Sequence, residues 1–315
     1  MHVTITGATG LIGSHLARRL RERGDAVTAL SRDADAARSR LGDGIEAHAW
    51  DPTAGPPPAA ALRGRDAVVN LAGASVDQRW SADAKAAIRR SRLETTDHLV
   101  AGLAALPAGE RPATLVSGSA SGIYGDRGDE RLTESSPTAV GRGDFLADLA
   151  GDWEAAAGAA REHGVRVVTV RTGLVLAADG GALPTIAKPF RLGIGGRLGS
   201  GRQLVPWIHV DDEVALIVAA LDDPELAGPL NASAPEPVTN AELAKAIGRA
   251  LRRPALAPAP APAIRLLLGE RAQLVLDSCG MVPARALDLG HAFAHPDLDA
   301  ALGELLRPGP CDPLA

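Results

Sequence analysis

Near the amino end, Gly7, Gly10 and Gly13 stand in the run Gly7-Ala8-Thr9-Gly10-Leu11-Ile12-Gly13. Glycines at this spacing let a chain turn tightly and present backbone N–H groups to an anion. A β-branched segment at 3–6 leads into the run, and Ile12, Leu16 and Leu20 follow at helical spacing up to Gly24. With a second strand at 26–30, strand, glycines and helix share the first thirty residues, the context that makes the triplet a dinucleotide-binding turn. One glycine serves the turn, another admits a pyrophosphate, and Gly13 lets helix and strand pack closely, with Thr9, Leu11 and Ile12 between them at the helix N-terminus that faces the anion. The plainer alternative is a strand–helix connection that merely favours glycine.

Cofactor choice is read at the end of the second strand, where an acidic residue would take a ribose 2′-hydroxyl. This chain has Ser31-Arg32 there, and a guanidinium beside a hydroxyl suits a 2′-phosphate. NADP(H) is therefore expected over NAD, with Asp33 as the residue that would serve the latter and a solvated surface role as the alternative for Arg32. Asp51, after a third strand at 45–49, is placed to accept from an adenine amino group or to act as an ordinary loop carboxylate before proline. Asn70-Leu71-Ala72-Gly73 closes a fourth strand, and the small residues Ala72 and Gly73 after Leu71 let the chain pass close to a ribose.

Positioning these groups requires alternating strands and helices. Apolar runs at 3–6, 26–30, 67–71, 114–117 and 165–170 alternate with helical patterns at 81–106 and 144–163, which predicts βαβ units: an α/β, doubly wound Rossmann parallel sheet. After about residue 172 the rhythm loosens into the glycine-rich stretch 193–201 and a Pro/Ala run, 254–262, read as a semi-rigid connector to a small helical lobe. We expect an NADP-binding domain over 1–172 plus about 205–235, and a substrate loop and C-terminal lobe over 173–204 and 236–315. A length of 315 residues, 46% apolar and 23% charged, with a net charge of −5, disfavours disorder and a nucleic-acid-binding surface. No apolar stretch approaches a membrane span and no basic leader precedes the first strand, so a cytoplasmic protein is expected. Cys279 and Cys311 are too few for a disulfide framework or thiolate metal site, and no metal is expected.

The spacing of Gly7 and Gly10 is that of short-chain dehydrogenases/reductases, and further motifs narrow the likeness. Ser117-Gly118-Ser119-Ala120-Ser121-Gly122-Ile123-Tyr124-Gly125-Asp126-Arg127-Gly128, Asp152-Trp153-Glu154, Arg171-Thr172-Gly173, Gly199-Ser200-Gly201-Arg202-Gln203, Trp207-Ile208-His209-Val210-Asp211-Asp212 and Pro296-Asp297-Leu298 carry it across nearly the whole chain. The chain resembles the extended, atypical short-chain dehydrogenases/reductases known as epimerase family proteins, NAD-dependent epimerase/dehydratase relatives with a C-terminal domain of unknown function. The resemblance implies the Rossmann fold, a dinucleotide held at the topological switch point with Arg171 among the cofactor residues, a small polar, sugar-derived substrate, and a homodimer.

Ordinary superfamily members protonate a developing alkoxide with a tyrosine whose pKa is lowered by a lysine four residues on, helped by a serine or threonine. Tyr124 is the sole tyrosine, residue 128 is Gly128, and Phe145-Leu146 with Leu149-Ala150 occupy the helix where the pair is usual, ahead of Glu154. The pair is therefore absent. Ser119 fills the serine slot, and Ser119 with Tyr124 are the expected catalytic groups; the acidic loop at Asp126, Asp129 and Glu130 is more simply a solvated turn. His209 is either a general acid or, the reading favoured for a strand-to-helix junction, a structural hydrogen-bonder. Arg197 and Arg202 flank glycines in the substrate loop and are expected to bind an anionic substrate. An NADP(H)-dependent oxidoreductase or epimerase-like enzyme follows, with a non-catalytic NADP(H)-binding redox sensor or regulatory module as the rival reading.

Overall fold

The computed structural model describes residues 1–42 and 44–306; Cys311 lies outside them. The chain forms two compact units. The first comprises Met1–Ile123, Thr138–Thr172 and Val214–Leu230, and the second comprises Tyr124–Pro137, Gly173–Glu213 and the described residues from Asn231 onward.

The first unit is built on β1 (His2–Thr6), β2 (Ala26–Ser31), β3 (Glu46–Ala49), β4 (Ala67–Asn70), β5 (Thr114–Ala120) and a strand at Arg166–Thr172, all paired in parallel. With Gly228–Ala232 at the edge, the seven-stranded order is 228–232, 166–172, β5, β4, β1, β2, β3. The order reverses between β1 and β4, so the carboxyl ends of these two strands flank the crevice in which an open α/β sheet takes its ligand. Strands covered by helices on both faces can be apolar over most of their length, and Val3, Ile5, Val68, Val69, Leu115 and Val116 are fully buried.

Helix α1 (Leu11–Glu22) buries Gly13, Leu16, Ala17 and Leu20, while Ile12, read as part of the same stripe, is only half-buried near the turn. Gly24 then ends it with a φ of 89°. The short α2 (Ala34–Leu41) begins at Asp33, whose side chain accepts from the Ala36 N–H. Ser81 caps α3 (Ala82–Ala104) by accepting from the Ala84 N–H, and Asp144 caps α4 (Phe145–Gly158) by accepting from those of Leu146 and Ala147. A 3₁₀ turn at Ala159–His163 completes the second long helical segment, closed by Gly164 at a φ of 76°.

In the second unit, Leu183–Arg191, Asn240–Ala250 and Leu298–Leu305 are helices packed around Trp207, Leu243, Ile247 and Leu302. The Pro/Ala run is not the connector expected from composition. The Ala257 and Ala259 N–H groups donate to Gly195 and Arg197 carbonyls, and Gly199 returns a bond to the Ala259 carbonyl. Gly196 permits this approach, since a Cβ there would lie 2.2 Å from the Ala257 carbonyl oxygen. Among the described residues no helix is long and apolar enough to cross a membrane. Burial pushes the Cys279 thiol up to about 12, which removes it from redox chemistry at neutral pH.

Candidate active site

The residues read as a dinucleotide cradle lie in the first unit: the glycine turn follows β1, Ser31 and Arg32 stand at the end of β2, Asp51 follows β3, Leu71-Ala72-Gly73 follows β4, and Arg171 lies on the 166–172 strand. Gly7 has a φ of 69°, and a Cβ on it would lie 2.8 Å from the Leu71 carbonyl group. Gly13 is tighter still: its Cβ would lie 2.2 Å from the Gly7 oxygen. Thr6 fixes the other wall, its hydroxyl donating to Asn70 Oδ1 at 2.7 Å and accepting from the Leu71 and Ala72 N–H groups at 3.2 Å. Gly10 offers α1 no side-chain cap and the first turn holds no acid, so the leading N–H groups, with Thr9, Leu11 and Ile12 beside them, are left to an outside anion. The cradle thus fits a pyrophosphate.

At the end of β2, Asp33 spends its carboxylate on the α2 N-terminus. Ser31 Oγ accepts from the Asp33 N–H at 3.3 Å. Arg32 is exposed, and among the described residues its guanidinium has no hydrogen-bond partner. Asp51 Oδ1 accepts from the Thr53 N–H and hydroxyl, at 2.9 and 2.8 Å. Those two bonds, the N–H first, hold its carboxyl below the usual range, and the nearby Arg32 charge adds to them.

Ser119 and Arg171 are register partners on adjacent strands, and Glu154 reaches over both from α4. The Ser119 hydroxyl donates to Glu154 Oε1 at 2.7 Å, and Arg171 clamps the same carboxylate through Nε at 2.8 Å and Nη2 at 2.9 Å. Ser119 and Arg171 are each 5% exposed. A buried guanidinium held this way orients Glu154, and Glu154 in turn fixes the serine rotor. Arg171, expected among the cofactor residues, thus has two of its nitrogens on Glu154. The sequence marks Glu154 through the motif Asp152-Trp153-Glu154 and gives it no role, because the register that sets Ser119 beside Arg171 is not visible locally.

The remaining expected site residues belong to the second unit. Tyr124 is fully buried, with the single proton of its hydroxyl shared between Asn231 Oδ1 at 2.7 Å and the Thr133 carbonyl at 3.0 Å. Both contacts tie the phenol to the second unit's framework. Arg197 turns back on its own loop, Nη1 donating to the Gly199 and Ser200 carbonyls, while Arg202 is exposed with its guanidinium unpartnered among the described residues.

His209 is buried, accepts the Asp211 N–H on Nδ1 at 3.1 Å, and stacks on His295 with ring centroids 3.8 Å apart and planes at 24°. His209, Asp211 and His295 bring ligand atoms within 4.8 Å of one another, yet near-parallel rings keep their lone pairs from converging as a metal chelate requires. Burial, then His295, lowers the His209 pKa, against opposing pulls from Asp211, Glu304 and Asp212. The unfolded chain therefore takes up this proton at a higher pH than the folded one, so the stability His209 contributes is present above its ordinary 6.5 and is lost as pH falls from there toward the folded value. His2 and His291 are lowered too, so the His209 share is read as a difference: His209→Gln is expected to show a smaller fall in melting temperature than wild type on acidification through that window.

The chain is similar to known proteins along nearly its whole length. Residues 3–232 match the NAD dependent epimerase/dehydratase family, and residues 259–305 match a domain of unknown function, DUF1731. Epimerase family protein Mb2239 of Mycobacterium bovis is 41% identical over 310 residues, covering 98% of each chain. A homologue of epimerase family protein SDR39U1 in Arabidopsis thaliana, described as chloroplastic, is 38% identical over 314 residues, covering 98% of this chain and 87% of its own. The crystal structure of human epimerase family protein SDR39U1 (isoform 2) with NADPH superposes with a TM-score of 0.84 at 36% identity, covering 97% of this chain and 99% of that one.

Proposed function

The chain belongs to the NAD dependent epimerase/dehydratase family, and from that premise we propose that it is an NADP(H)-dependent oxidoreductase or epimerase-like enzyme acting on a small polar, sugar-derived alcohol or carbonyl compound. The observation that carries the reading is the Ser119–Glu154–Arg171 arrangement, which gives the first unit a positioned proton path where Leu146 and Ala150 leave no tyrosine–lysine pair. Gly7, Gly10, Gly13, Leu71, Ala72 and Gly73 would cradle the dinucleotide, with Ser31 and Arg32 at the 2′-phosphate and Asp51 near the adenine. Bound there, it supplies or accepts the hydride. Ser119 Oγ takes the proton of a substrate hydroxyl as its own proton passes to Glu154 Oε1, and in the reducing direction both transfers reverse. Arg171 holds Glu154 in line for either direction.

Support for NADP(H) over NAD is the contrast at the end of β2, where Asp33 is committed to a helix cap and Arg32 is open. Support also comes from the NADPH in the human relative. Arg32→Ala is expected to weaken NADPH binding by about 10–100-fold, the loss of one charge-assisted contact, and to leave NADH binding unchanged. Equal loss for both dinucleotides would remove Arg32 from the 2′-phosphate. The enzyme reading is tested with NADPH labelled at its transferable hydrogen and a panel of polar carbonyl compounds: transfer supports it, and tight NADPH binding with no transfer to any member favours the sensor.

A further inference from the structure

Arg92, on α3, is a guanidinium with no carboxylate partner among the described residues. It is half-buried, and its Nη1 donates to the Ala74 and Ile88 carbonyls at 3.0 and 3.2 Å. Among the described residues Nε and Nη2 donate to no protein acceptor. No carboxylate offsets it: burial alone pushes its pKa down to about 10. Arg89, three residues earlier on the helix, pairs with Asp152 at 2.5 Å. A protein places an unneutralised guanidinium in a half-buried position at a cost, and a planar donor fork of this kind matches a carboxylate or phosphate.

Its surroundings place it beside the cradle. A Cβ on Gly73 would lie 3.0 Å from Arg92 Cζ, so the guanidinium lies under the loop that closes β4. The other face rests on Trp153, with the guanidinium carbon 5.1 Å from the ring centroid, and the far edge of that ring abuts Gly118, the residue before Ser119. Trp153 is itself pinned, its Nε1 donating to Thr96 Oγ1, which also accepts from Asn70 Nδ2. One fixed ring thus separates an uncompensated cation from the backbone that carries the Ser119 hydroxyl.

We propose that Arg92 is a substrate-binding residue that selects compounds carrying a carboxylate or phosphate group and holds that anion at the loop that closes β4, across the Trp153 ring from Ser119. The inference rests on the functional reading above, and names the class of substrate that site accepts. Cofactor phosphates are the other source of the same chemistry, and the two separate experimentally. Wild type, Arg92→Met and Arg92→Lys, each saturated with NADPH, are titrated with malonate and with inorganic phosphate at constant ionic strength. The expected result is saturable binding to wild type, at least an order of magnitude weaker in Arg92→Met and partly restored in Arg92→Lys, with NADPH affinity alike in all three. Equal anion affinity in wild type and Arg92→Met overturns the proposal, as does a matching loss of NADPH affinity, which would assign the guanidinium to the cofactor. Should Arg92→Met fail to fold, phenylglyoxal labelling of NADPH-loaded wild type decides: malonate slowing modification of Arg92 supports the proposal, and an unchanged rate overturns it. Wild type that binds no NADPH sinks the underlying reading, whereas NADPH-loaded protein that ignores both anions sinks this inference alone.

Discussion

Ser119→Ala is expected to lower hydride transfer by about 10²–10⁴-fold, the usual weight of a positioned proton-transfer group, with NADPH affinity unchanged. The Ser119 hydroxyl donates to the carboxylate of the Glu154–Arg171 pair, and on the proposed reading its removal cuts Glu154 off from the substrate oxygen. Ser119→Thr keeps the hydroxyl and is expected to retain much of the rate. Glu154→Gln separates the roles. It keeps an acceptor oxygen for Ser119 but no longer takes a proton and sets an amide NH2 against Arg171 Nη2, so transfer falls although the serine hydroxyl remains. Single-turnover rates with labelled NADPH measure all three, alongside NADPH affinity by fluorescence. If Ser119→Ala transfers label within an order of magnitude of wild type, the proton comes from elsewhere and the serine path is wrong.

The features legible in the sequence were those set by a few neighbouring residues. Gly7 and Gly13 announced the turn because glycine alone tolerates a φ of 69° at one position and a 2.2 Å approach at the other. Ser81 and Asp144 marked helix starts because an N-cap is a local event, and Gly164 marked a stop for the same reason. Groups assembled over distance were not legible. Ser119, Glu154 and Arg171 meet only because β5 pairs with 166–172 in one register, and a shift of one residue would turn Arg171 to the opposite face. Tyr124 drew attention as the sole tyrosine, and nothing near it in the chain foretold that Asn231 would take its hydroxyl. The Pro/Ala run misled for a related reason: composition describes a stiff segment, but pairing with 195–199 depends on Gly196 leaving room for Ala257.

Gly13→Ala is expected to weaken NADPH binding by about 100-fold, since displacing binding groups by roughly an ångström carries losses of that order. The substitution isolates close approach from backbone conformation. Gly13 lies within α1 and needs no positive φ, so helix propensity alone would favour alanine by about 1 kcal/mol. Against that, the new methyl would lie 2.2 Å from the Gly7 oxygen, 2.8 Å from Ala8 Cα and 2.9 Å from the Gly7 carbon, all backbone atoms that cannot rotate away. Overpacking of this kind costs about 1–3 kcal/mol, so the net stability change is small or negative, while helix and turn must separate. The affinity loss comes from that separation, because the same turn aims its N–H groups at the pyrophosphate. Gly24→Ala is the matched control: its φ of 89° makes alanine strained, but a Cβ there meets nothing within 4 Å. That variant should lose about 1–2 kcal/mol of stability and keep its NADPH affinity. Denaturant melts and NADPH titrations on both variants give the four numbers. A Gly13→Ala protein that binds NADPH as tightly as wild type would show that the turn at the end of β1 does not hold the dinucleotide.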